Sequence, residues 1–88
     1  MKEILFRNLN DVLTEVQWEV VQASRKHKPM NSAHEGYAVL KEEVDELWDE
    51  IKHKQQNHRL MRKEAIQVAA MAIRLIHDVI RVETKEPQ

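Results

Sequence analysis

Residues 32–51 read Ser32-Ala33-His34-Glu35-Gly36-Tyr37-Ala38-Val39-Leu40-Lys41-Glu42-Glu43-Val44-Asp45-Glu46-Leu47-Trp48-Asp49-Glu50-Ile51, and they decide the fold. Ser32 is followed three residues on by Glu35, the spacing of a capping box, in which each residue satisfies a free amide at a helix start. Just upstream, Pro29 disfavours helix at Lys28 and cannot itself continue one. A helix is therefore expected from about Ala33, reaching about Lys54. Its apolar residues Tyr37, Leu40, Val44, Leu47, Trp48 and Ile51 recur at spacings of three and four. At 100° per residue they fall in an arc of roughly 100°, predicted to be the core face. Glu43, Glu46 and Glu50 form a second row about 60° wide beside that arc, with Val39 among them. Asp45, Asp49 and Glu42 turn further round, toward solvent.

On the N-terminal side, Leu5, Leu9, Val12, Val16, Val20 and Ala23 repeat at helical spacing, widened by Leu13, and predict a helix from about Glu3 to Lys26. Trp18 and Val21 fall off that stripe, and Trp18 is open to two readings, a second packing contact or a ligand contact. On the C-terminal side, the polar run 53–59 contains Gln55-Gln56-Asn57, a turn with Asn57 as helix cap. A third helix is expected from about His58 to Val82. Its centre, Ala65-Ile66-Gln67-Val68-Ala69-Ala70-Met71-Ala72-Ile73, is apolar nearly all round, so most of its sides need cover. Two further helices of one short chain would struggle to supply it. The expected architecture is all-α, three main antiparallel helices per chain, assembled as a homodimer or homotetramer around a four-helix-bundle-type core. The charged tail Glu83–Gln88 is expected to fray.

Composition narrows the class. The 88 residues make a single domain, 1–88, with one Gly, two Pro and 33% charged residues, which suits amphipathic helices and leaves little for hairpin turns. With no cysteine, disulfides and thiolate metal sites are excluded. No stretch approaches the roughly 20 apolar residues of a membrane span. Met1–Asn10 lacks the apolar core and cleavage site of a signal peptide, so the expected location is the cytoplasm. A net charge of −1 makes nucleic acid an unlikely partner, supported only by basic residues around one turn.

The chemistry-bearing residues are acidic. Glu43 and Glu46, one turn apart, share a helix face, and Glu64 near the start of the third helix shares a face with Gln67, Arg74 and Asp78. If the second and third helices pack antiparallel, Glu43 or Glu46 can face Glu64 or Gln67. An all-oxygen donor set of that kind suits Mg²⁺, which keeps waters and substrate phosphates as its other ligands. The plainer reading is a solvated acidic surface with local Glu–Lys pairs, and Glu64 could pair with Lys63, Arg59 or Arg62. The cations Lys52, Lys54, Arg59, Arg62 and Lys63 crowd the turn between these helices, either to meet a triphosphate or simply for solubility. Arg74, inside an apolar run, could hold phosphate or pair with Asp78 four residues on. His34 could touch a ligand or serve at the helix start, and the five histidines show no zinc spacing.

As a whole, Glu43-Val44-Asp45-Glu46 followed by Glu64-Ala65-Ile66-Gln67 resembles the MazG-like all-α nucleoside triphosphate pyrophosphohydrolases. Their pattern is Glu-x-x-Glu on one helix and Glu-x-x-Asp on the next. His34-Glu35-Gly36-Tyr37-Ala38-Val39-Leu40 and the run Arg62–Arg74 add to the resemblance, which covers about Ser32 to Val79. It implies hydrolysis of a nucleoside or deoxynucleoside triphosphate to monophosphate and pyrophosphate, a nucleotide-pool housekeeping role. It further implies Mg²⁺ (with Mn²⁺ a possible substitute) on Glu43, Glu46 and Glu64, all three catalytic, with Gln67 as fourth or water-mediated ligand. Arg62, Lys63, Arg74, His34 and Trp48 are the candidate substrate contacts; either Trp48 or Trp18 could stack on a base. Where the pattern has Asp this chain has Gln67, which brings an oxygen but no charge. Glu50 or Asp78 could compensate, although Asp78 lies about 16 Å further along the helix by helical rise and is a poor substitute. The alternative is a non-catalytic helical oligomer, an adaptor or regulator that keeps the fold.

Overall fold

The computed structural model describes residues 2–82, with side chains from Asn8 onward; Leu5's place in the apolar stripe and the tail 83–88 lie outside the described residues. Three helices follow in order, α1 (Lys2–Lys26), α2 (Ala33–Ile51) and α3 (His58–Asp78), with no strand among the described residues. The helix starts are set locally. Ser32 Oγ accepts the Glu35 amide at 3.0 Å, while Glu35 Oε1 accepts the Asn31 amide at 2.8 Å. Asn57 Oδ1 accepts from both Arg59 and Leu60 amides, occupying two donors that the first turn of α3 leaves free.

Two ends differ from expectation. Helix α2 stops at Ile51 rather than Lys54, because Gln56 Nε2 donates to the Ile51 carbonyl at 3.0 Å and folds the chain back. Helix α3 stops at Asp78 rather than Val82, where the amides of Val79 and Ile80 both donate to the Leu75 carbonyl. The residues beyond include β-branched Val79, Ile80 and Val82, which give little help to a terminal turn.

Helix α3 is the middle member. It packs against α2 and against α1, while α1 and α2 do not approach each other closely. The core is small: Ala23 of α1, Met30 of the connection and Ala70 and Met71 of α3, joined by half-buried Val20, Val39, Leu40, Leu75 and Val79. At Gly36, which is buried, α2 packs tightly against α3. A methyl group there would meet Leu75 Cδ1 at 2.3 Å and Met30 Sδ at 3.1 Å.

The face that α2 turns inward is only partly the predicted one, keeping Leu40, Leu47 and Ile51. Tyr37, Val44 and Trp48 are 61, 43 and 57% exposed, so Trp48 does not point into the core. The inward side instead carries Gly36, Val39, Leu40, Glu43, Leu47, Glu50 and Ile51. The buried arc is thereby rotated by roughly 70° toward the acidic row, taking 100° per residue. Apolar periodicity identifies a greasy side; it does not say which part of that side meets the same chain.

Candidate metal and phosphate site

The rotation of α2 places its acids against α3. Because α2 and α3 run antiparallel across a short turn, the middle of α2 lies opposite the first turns of α3. Glu43, Glu46 and Glu64 each contribute a carboxylate oxygen to one group, all within 4.8 Å of one another. Glu43 and Glu64 are half-buried and Glu46 is exposed. One oxygen of Glu64, Oε2, is buried and has no hydrogen-bond partner. Glu64 makes no ion pair with Lys63, Arg59 or Arg62; Arg62 is instead bound to Glu15 of α1.

The electrostatics follow from this crowding. Burial, then the charges of Glu46, Glu64, Glu42 and Glu19, push the Glu43 carboxyl above its ordinary range. Burial and then Glu46 push Glu64 up as well, with Glu50 adding to the rise and Lys63 opposing it. Like charges held together in a partly desolvated place raise one another's proton affinity. The outward acids behave differently. Asp45 pairs with Lys41 at 3.0 Å and Asp49 with Lys52 at 3.2 Å, both exposed. The acids of α2 thus divide into paired outward ones and unpaired inward ones.

The donor set suits a hard divalent cation. Mg²⁺ to oxygen distances of about 2.0–2.1 Å put neighbouring ligand oxygens about 2.9 Å apart and opposite ones about 4.2 Å apart. The three oxygens, within 4.8 Å of one another, lie near that spacing. The unpartnered Glu64 oxygen is an exception to the rule that a buried acceptor is satisfied.

Beside the acids, a cleft of about 500 Å³ runs between α1 and α2 over the face of α3. Glu43 and Gln67 lie on one side, Met30, Val39 and Met71 form an apolar part, and Lys26 and Lys28 add positive charge from the α1 end. A second cleft of about 340 Å³ joins Trp18 of α1 to Arg59, Arg62 and Lys63 of α3. Gln67 lines both, so it stands next to the acids without bringing charge.

The candidate substrate contacts fare unevenly. Arg62 and Lys63 line the second cleft, and Trp18, 60% exposed, stands beside them. His34 is exposed on the first turn of α2, and Trp48 faces outward. Arg74 is 4% exposed; its Nη2 donates to the Lys28 carbonyl at 3.0 Å and sits 3.8 Å from Asp78 Oδ2. Asp78 Oδ2 in turn accepts the Met30 amide at 3.0 Å. Arg74 thus pairs with Asp78, as one of its two sequence readings had it, and the two together hold the α1–α2 connection onto α3, which that reading did not include.

Sequence reasoning also passed over Glu19. It lies between buried Val16 and Ala23, three residues after one and four before the other, so it interrupts the inward stripe of α1. A carboxylate at such a position was the available signal. No protein-family model, curated protein or solved structure matches this chain.

Proposed function

We propose that this protein is a Mg²⁺-dependent nucleoside triphosphate pyrophosphohydrolase of the MazG-like kind, releasing pyrophosphate from NTPs or dNTPs. One observation carries the reading: carboxylates of Glu43, Glu46 and Glu64, from two helices, gather without a positive partner around a buried, unsatisfied oxygen. Such a group is costly to fold unless a cation neutralises it. A bound Mg²⁺ would neutralise phosphate charge and polarise the scissile linkage.

The chain's own part is to place the reactants. Glu43, with its raised proton affinity, is suited to take the proton of an attacking water. The water oxygen bonds to phosphorus in line with the oxygen bridging the α and β phosphates. That bridging bond breaks, and monophosphate and pyrophosphate leave. Arg59 and Lys63 beside the second cleft offer charge to the departing pyrophosphate, and the apolar side of the first cleft has room for a nucleoside. Nucleoside triphosphates are held inside cells, which supports a cytoplasmic location for the activity.

A second copy of the chain belongs to the same reading. Tyr37, Val44 and Trp48 on α2 and Ile73 and Ile76 on α3 are exposed, a large apolar surface for so small a core. A homodimer or homotetramer would cover it.

The test is pyrophosphate release from a panel of NTPs and dNTPs with Mg²⁺ or Mn²⁺. Turnover should require the metal, and Glu43→Gln should lower it at least about a hundredfold, the usual scale for a general base. No release across the panel, with either metal at high protein concentration, would overturn the reading. Gln67 supports one alternative, a non-catalytic helical oligomer, which predicts that Mg²⁺ leaves the melting temperature unchanged.

A further inference from the structure

With α3 between α1 and α2, the molecule has a cleft side and a back, and the apolar surface lies on the back. On α2 the first cleft is lined by Val39, Glu42 and Glu43. Tyr37, Val44 and Trp48, all exposed, stand about 120–180° round the helix from Val39 and Glu42. On α3 the cleft takes Gln67 and Met71, and Ala69, Ile73 and Ile76 stand about 120–180° from these. The six side chains thus form one apolar side spanning two helices. Charges at its edge are spent within the chain, Lys41 on Asp45 at 3.0 Å and Arg62 on Glu15. An uncharged patch of this kind fits a second uncharged patch better than an anionic lipid surface or a charged peptide.

The same side carries a knob and a hole. Between α1 and α3 a recess of about 310 Å³ has Val20, Val21 and Ile73 as its apolar part, with Ser24 and His77 adding polar atoms. Across α3, Tyr37 is 61% exposed, an apolar ring with a polar tip. Gly36 meets Leu75, so Tyr37 lies within about 3 Å of the height of Ile73 along α3. Rotation by 180° about an axis parallel to α3 keeps that height and exchanges the two sides. It carries the ring of each copy over the recess of the other, which is the reciprocity a twofold contact requires. There is room for it: the broad side measures 46 × 34 Å. A standard contact of about 800 Å² per partner occupies about half of that.

We propose that two copies of this chain meet back to back about a twofold axis parallel to α3, each seating the partner's Tyr37 between its own α1 and α3. This rests on the reading above that a second copy covers the exposed apolar surface. It adds which side meets and in which orientation, and it leaves both acidic clefts open, each built by one chain.

The chain has no cysteine, so introduced thiols report contacts cleanly. Tyr37→Cys and Val21→Cys are prepared separately, then refolded together and treated with a short bis-maleimide. The mixture should give a covalent dimer, and either variant alone should give little. Equal crosslinking of the mixture and the single variants overturns the proposal, as does none in any of them. Sedimentation equilibrium is the second readout. Ile76→Glu, at the middle of the back, should weaken dimerisation at least about tenfold. Leu60→Glu, which removes another exposed leucine about 160° round α3, should leave it unchanged. A dimer indifferent to Ile76→Glu overturns the proposal; if that variant loses its helical circular dichroism, the cysteine pair, which keeps Ile76, decides. Wild type that stays monomeric at high concentration overturns the second-copy reading itself, a different failure from a dimer joined elsewhere.

Discussion

The two ends of the α2–α3 pair both bring charge inside, and they treat it in opposite ways. Near the C-terminus of α3, Asp78 receives the Met30 amide, lies against Arg74 and meets His77 Nδ1 at 2.9 Å. These contacts, His77 first and the Met30 amide next, hold its carboxyl below the ordinary range. Near the N-terminus of α3, Glu64 and Glu43 have only one another and Glu46, and their carboxyls are pushed up. One end spends charge on holding the chain together; the other stores unfavourable charge. The same fold thus satisfies one inward carboxylate at one end and leaves three together without a positive partner at the other.

The contrast can be broken most severely from its satisfied end. Asp78→Ala should destabilise the fold by about 3 kcal/mol, since it frees a buried amide and strips Arg74 of its counter-charge. Urea unfolding measures it, and a loss under about 1 kcal/mol would show that the Arg74–Lys28 bond suffices alone. Gly36→Leu comes next. The bulk would drive into Leu75 and Met30 and should cost about 1–3 kcal/mol, beyond what better helix propensity returns.

At the unsatisfied end the sign reverses. Glu64→Gln should leave the metal-free protein as stable or slightly more so, by less than about 1 kcal/mol given the solvent screening at this site. A clear loss of melting temperature would mean that Glu64 is structurally paired after all. The smallest effect is in pH. Glu43 and Glu64 bind protons more tightly folded than unfolded, where such carboxyls titrate near 4.5. Stability of the metal-free protein should therefore rise as pH falls from neutral toward about 4.5. Asp78 works the other way, its unfolded value being near 3.8, so stability should fall again below that pH. Saturating Mg²⁺ should flatten the upper part of the curve, and melts across pH with and without Mg²⁺ would show it.

Much of the architecture was legible because it is written in short-range chemistry. Ser32 with Glu35, and Asn57 alone, mark helix starts through bonds to amides two to four residues away. The antiparallel hairpin then puts Glu43 and Glu46 level with Glu64, while the rotation of α2 turns them toward it. The orientation of α2 was not legible, because the chain has more apolar surface than it can bury in itself. Tyr37, Val44 and Trp48 looked as buriable as Leu40 and Leu47, and only packing at Gly36 selects between them. Arg74's bond to the Lys28 carbonyl depends on a connection 46 residues away, which no local pattern contains.

Gly36 has a consequence beyond its own neighbourhood. It is a fulcrum: α2 rests on α3 there, about 10 Å of helix before Glu43. Tilting α2 about that bearing point changes the gap across the carboxylates by leverage. The spacing of those carboxylates is thus governed in part by a residue with no side chain, well away from their oxygens.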